Sequence, residues 1–160
     1  MRSLLSGNSA FDRYEHGESN ALSEAAKRGL QIFRGQGDCI ACHSGPLLSD
    51  EDFHNTGVSW GKEPLDLGRF EVTKREPDRG KFKAPGLRNV ALTAPYMHDG
   101  SLATLEHVTD FYSKGANPNP NLDREIRPLN LNPRDQADLL AFLKTLTGEP
   151  PAQPELKRLP

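Results

Sequence analysis

Two cysteines stand three positions apart, with a histidine directly after the second: Cys39-Ile40-Ala41-Cys42-His43. They are the chain's only cysteines. Thiols at this spacing can each add across a vinyl group of one haem, and the following imidazole is then placed to put a ring nitrogen on the iron. Zinc and dithiol chemistry are the competing uses of such a pair. Zinc wants further Cys or His ligands at compatible spacing, and His54, His98 and His107 form no second paired motif. A thioredoxin-type dithiol belongs to a βαβ pattern, which this chain lacks. The histidine therefore decides for one covalent haem c, anchored by Cys39 and Cys42, with His43 as proximal ligand.

The other face of the iron is open to Met97, Tyr112, His54, His98 and His107; Met1, being terminal, is set aside. A lone histidine is more often a surface or structural residue than a ligand. Met97 sits in Ala94-Pro95-Tyr96-Met97-His98-Asp99-Gly100, a tight loop able to approach the iron. Tyr112 lies on the apolar face of an expected helix, where it serves either as a ligand or as a core tyrosine with a satisfied hydroxyl. A neutral, soft thioether favours ferrous iron and raises the potential; an anionic, hard phenolate favours ferric or higher-valent iron and lowers it. Partly buried propionates need cations or donors. Lys81, Lys83 and Arg88 are the nearest cluster, which reads equally well as a solvated basic loop.

Positioning these groups falls to one all-α domain, with about three main helices and long loops wrapped around the haem. The 160 residues suggest a single domain. An apolar fraction of 35% is low for a packed core, and 14 Gly with 13 Pro imply much loop; an apolar haem face would replace missing side chains. The net charge of −2 without a basic run gives no sign of nucleic acid, and no stretch approaches a membrane span. Residues 1–20 read as a connecting or docking segment, 21–148 as the haem domain and 149–160 as a disordered tail.

Ser23 caps a helix from Glu24 to about Arg34, with Leu22, Ala26, Leu30 and Phe33 as an apolar stripe placed to pack beside the porphyrin. Residues 44–103 lack periodicity and favour turns. Thr104 caps a second helix reaching about Lys114, along which Leu105, Val108, Phe111 and Tyr112 follow helical spacing. Asn132-Pro133 opens the third, with Leu139, Phe142, Leu143 and Leu146 as its buried stripe. The start, Met1-Arg2-Ser3-Leu4-Leu5-Ser6-Gly7, does not read as a signal peptide. Haem is normally attached to this motif outside the cytoplasm, so a periplasmic location is expected, with the signal left off or the chain part of a longer one.

From about residue 5 to 148 the chain resembles the bacterial di-haem cytochrome c peroxidase family. The resemblance is carried by Cys39 to Asp50, by Phe53-His54-Asn55-Thr56-Gly57-Val58, by Lys81 to Ser101 and by Asp138 to Gly148. It is to the second half of those enzymes only. It implies that peroxide is reduced at a haem in an N-terminal half absent here, and that this half takes electrons from a small donor protein, a cytochrome c or cupredoxin, and passes them on. It implies that the backbone carbonyls of Thr93 and Pro95 face a calcium ion between the domains. It also places the distal ligand at Tyr112 rather than Met97. The peroxidases carry Met at that position, and a Tyr there is what the related enzyme that matures a tryptophan-derived quinone uses. A stand-alone mono-haem electron carrier is the alternative function, and a homodimer is a further expected partner state.

Overall fold

Ser9 starts the first helix, α1 (Ala10–Glu15). Its hydroxyl accepts from the Asp12 N–H at 3.1 Å and the Asp12 carboxylate accepts from the Ser9 N–H at 3.0 Å, a reciprocal cap. The computed structural model describes residues 6–149. In α2 (Glu24–Arg34) the Ser23 hydroxyl accepts from the Ala26 N–H at 3.2 Å. Two two-residue strands follow, β1 (Phe53–His54) and β2 (Phe82–Lys83), antiparallel with His54 opposite Phe82. Between them lies the short α3 (Phe70–Thr73). Helix α4 (Leu105–Ser113) is capped by Thr104, and α5 (Pro133–Lys144) by Asn132, with Pro133 in its first turn and Asp135 closing a capping box.

The core forms where α2 and α5 press together. Leu22, Ala26, Leu30 and Phe33 meet Leu139, Phe142, Leu143 and Leu146, all buried. Phe142 is fully buried and touches Phe33 and Phe11, ring centroids 5.1 and 5.5 Å away. Gly29 permits the close approach, since a Cβ there would lie 1.9 Å from the Asp138 carbonyl oxygen. Beside it Arg28 holds the Asp138 carboxylate through two hydrogen bonds of 2.7 and 2.9 Å.

The three main helices form as α2, α4 and α5; among the described residues two shorter ones, α1 and α3, add to them, too short for apolar periodicity to mark. The α2 stripe packs chiefly on α5, and of its four residues only Phe33 also lines the cavity described below. Within residues 1–20, α1 contributes Phe11 to the core. Of the stretch 149–160 read as a disordered tail, Glu149 pairs with Gly7 through backbone hydrogen bonds of 3.2 and 2.9 Å; residues 150–160 lie outside the described residues.

Arg88 ties α1 to the loops. Its guanidinium donates to both Asp12 carboxylate oxygens at 2.9 Å and to the Ser6 and Pro46 carbonyls at 3.0 and 2.6 Å. Burial alone would raise the Asp12 carboxyl, but the Arg88 guanidinium and the Ser9 N–H and hydroxyl bring it down to about 2.

Truncating Phe142 to Ala removes the ring at the centre of the core and is expected to destabilise the protein by about 3–5 kcal/mol in chemical denaturation. The Asp12–Arg88 pair carries a pH signature. A carboxyl depressed in the folded state stabilises above its unfolded pKa and loses that contribution as pH falls through the folded value. Asp12→Asn is therefore expected to be less stable than the parent at neutral pH, with the gap closing between about pH 4 and pH 2 in urea titrations.

Candidate haem site

The loop after α2 turns sharply at Gly35 and Gly37 and places Cys39 to Ala41 in a single 3-10 turn. Both cysteines and His43 come to the wall of one cavity of about 430 Å³, within the range of cofactor sites. Phe33, Leu139 and Leu143 from the α2–α5 core, Leu105 and Val108 from α4 and Leu87 from the loops make its lining predominantly apolar. Lys83, Thr93, Pro95, Met97 and Tyr112 also line it.

His43 donates from Nδ1 to the Leu48 carbonyl at 3.0 Å. A carbonyl only accepts, so Nδ1 carries the proton and Nε2 is the nitrogen that would ligate; the Pro85 backbone also acts on the ring. Burial lowers the His43 pKa and keeps the ring neutral, as ligation requires. Burial likewise pushes the Cys39 thiol up to about 12. The Cys42 thiol rises to about 11, through burial and then the carboxylates of Asp50, Asp123, Glu125 and Asp38. The two sulfurs point to different partners: Cys39 Sγ donates to the Gly37 carbonyl at 3.5 Å, and Cys42 Sγ lies 3.6 Å from His54 Nδ1.

The candidates for the second axial position separate by what their donor atoms already touch. His54 presents Nδ1 to Asp123 at 2.6 Å and Nε2 to Asp50 at 2.8 Å, so both nitrogens are taken. His98 stacks on Phe82, centroids 3.5 Å apart, with Nε2 3.0 Å from the Ser59 hydroxyl. His107 is exposed and does not line the cavity. Tyr112 and Met97 both do. Burial raises the Tyr112 hydroxyl to about 12, and the Thr56 hydroxyl beside it pulls the other way. Met97 sits at φ +70 in a turn closed by the bridge between Tyr96 and Leu102.

Of the three cations expected to meet propionates, Lys83 reaches the cavity and Lys81 does not. Arg88 is drawn away by Asp12. Cys42, Asp50 and His54 could surround a metal ion, their donor atoms lying within 4.8 Å of one another. Cys39 is not part of that group. The donor set fits haem: two thiols at vinyl spacing, an imidazole whose Nδ1 is held by Leu48 and a mostly apolar wall.

His54 is the residue whose role the sequence did not disclose. Its partner Asp123 is 69 positions away, and only the i,i+4 spacing to Asp50 was visible. The Leu48 carbonyl is a backbone atom and leaves no compositional trace.

Residues 26–147 match the family model described as cytochrome c. This fold, with its haem-binding loop and cavity, places the chain in the cytochrome c family. Within that family it falls with the di-haem cytochrome c peroxidases. It is 42% identical to the methylamine utilization protein MauG of Methylorubrum extorquens over 152 residues, which cover 95% of this chain and 43% of that protein. It is 38% identical to the cytochrome-c peroxidase IdrP2 of Denitromonas iodatirespirans, covering 94% of this chain and 47% of that one. The crystal structure of a MauG-like protein associated with microbial copper homeostasis superposes with a TM-score of 0.79 at 41% identity, over 89% of this chain and 49% of the other. The chain thus spans about half the length of these relatives.

If the phenolate is an iron ligand, its loss removes an anionic donor that stabilises ferric iron. Tyr112→Phe in the haem-loaded protein is expected to change the ferric visible spectrum and raise the reduction potential, with Met97→Ala leaving both near the parent. Optical redox titration of the two variants checks this; the reverse pattern assigns the ligand to Met97.

Proposed function

We propose that the chain is the electron-transfer haem domain of a periplasmic di-haem peroxidase-like oxidoreductase. In this reading Cys39 and Cys42 hold one haem c, His43 ligates from its Nε2 and Tyr112 supplies the distal oxygen in preference to Met97. Lys83 is the cation at hand for a propionate. The carbonyls of Thr93 and Pro95 face a calcium ion where a peroxidase-type haem domain docks, and a small cytochrome c or cupredoxin delivers the electrons. The observation that carries the reading is the convergence of both thiols, the singly protonated His43 and the Tyr112 hydroxyl on one apolar cavity.

Haem supplies a one-electron couple when bound. The chain's own residues hold and tune it. His43 is fixed in direction by Leu48, and the apolar wall of Leu105, Leu139 and Leu143 excludes water. Among the described residues that line the cavity, both free-standing histidines are engaged: His54 by two carboxylates and His98 by Ser59. The single Cys-x-x-Cys-His motif favours a second reading, a mono-haem carrier that works alone.

The haem-loaded chain is expected to oxidise a reduced cytochrome c in stopped-flow mixing and to leave hydrogen peroxide unconsumed when supplied with that donor. Sustained peroxide reduction by the chain alone would overturn the relay reading. Peroxide turnover that appears on adding a peroxidase-type haem domain decides against the lone carrier.

A further inference from the structure

His54 lies between two acceptors that cannot donate when ionised. Nδ1 is 2.6 Å from Asp123 Oδ2 and Nε2 is 2.8 Å from Asp50 Oδ2. Both ring nitrogens must therefore carry protons, making the side chain an imidazolium. The charge is partly buried: His54 lines the haem cavity, and its Nδ1 is 3.6 Å from the sulfur of Cys42. The rest of its neighbourhood is acidic. Asp38 and Glu125 join Asp50 and Asp123 in acting on the Cys42 sulfur. Two further cations line the cavity: Arg127, which leans to Asp38 at 3.8 Å, and Lys83, on the strand paired with β1. The segment carrying His54 is held in place: β1 pairs with β2, and the buried Asn55 side chain donates to the Arg79 carbonyl at 2.9 Å and accepts from the Gly57 N–H at 2.8 Å.

We propose that His54 is a positioning residue whose fixed positive charge, held by Asp50 and Asp123 against the Cys42 attachment, raises the reduction potential of the bound haem. The inference rests on the haem reading above, but not on which residue is the distal ligand. The physical reason is Coulombic. Ferric iron carries one more positive charge than ferrous, so a nearby cation disfavours it and a nearby anion favours it; partial solvent exposure reduces the size of the effect and not its sign.

Potentiometric titration of the haem-loaded full chain with dithionite and mediators, near pH 6 where histidine is charged, tests this. His54→Gln removes the cation and is expected to lower the midpoint potential. Asp50→Asn removes a facing anion, keeps a hydrogen-bond acceptor and is expected to raise it. A merely structural role would move both variants in the same direction, because both disturb one hydrogen-bonded cluster. Shifts of the same sign, or none in either, overturn the proposal. If His54→Gln fails to fold, His54→Lys carries the test, since it keeps a cation at the position: a midpoint potential near the parent's supports the proposal, and a clear fall refutes it. A pyridine haemochrome assay on each preparation keeps the two readings apart, since a parent chain without haem defeats the haem assignment, not this charge effect.

Discussion

The hydrogen bond from His43 Nδ1 to the Leu48 carbonyl decides which imidazole nitrogen faces the cavity, and the surrounding loop is built to hold that carbonyl in place. Leu48 adopts φ +53, a left-handed conformation that costs a non-glycine residue about 1 kcal/mol or more. Its buried side chain and three neighbouring bonds keep it there. The Ser49 N–H donates to the Ser44 carbonyl at 2.8 Å, the Ser49 hydroxyl to the Ala84 carbonyl at 2.8 Å and the Asp50 N–H to the Cys42 carbonyl at 2.8 Å. The turn bearing the thiols and the turn that orients the imidazole are thus one unit.

The helices act as the frame for that unit. The α2–α5 contact, opened by Gly29 and filled by Phe142, fixes the start of the haem-binding loop because α2 runs directly into it. Helix α4 brings Tyr112 to the same cavity from a residue range about 70 positions later. Polar contacts then close the periphery: Arg88 on Asp12 anchors the N-terminal helix, and His54 on Asp50 and Asp123 pins the 120s loop to the Cys42 side. These ion pairs are partly buried, so they are screened less than exposed pairs, and removing one partner leaves the other charge uncompensated.

How much of this was legible in the sequence depended on range. Ser23, Thr104 and Asn132-Pro133 announced three helices because capping is a contact over three residues. Ser9 and Asp12 carry the same signal, but α1 is too short for apolar periodicity to support it. The Cys39-Ile40-Ala41-Cys42-His43 motif was legible because covalent haem attachment demands that spacing. The fates of Arg88 and His54 were not, since each is set by a carboxylate 69 or 76 positions away. Nothing in local composition separates Lys83, which faces the cavity, from Lys81, which does not.

The central claim is that Cys39 and Cys42 bind one haem covalently. Intact-mass spectrometry of the protein matured in a host that assembles c-type haem, combined with acid–acetone extraction, tests it most directly. The account predicts a mass gain of one haem per chain that survives extraction and disappears in the Cys39→Ala/Cys42→Ala double variant. An unmodified mass, an extractable haem or a stoichiometric zinc ion would contradict it.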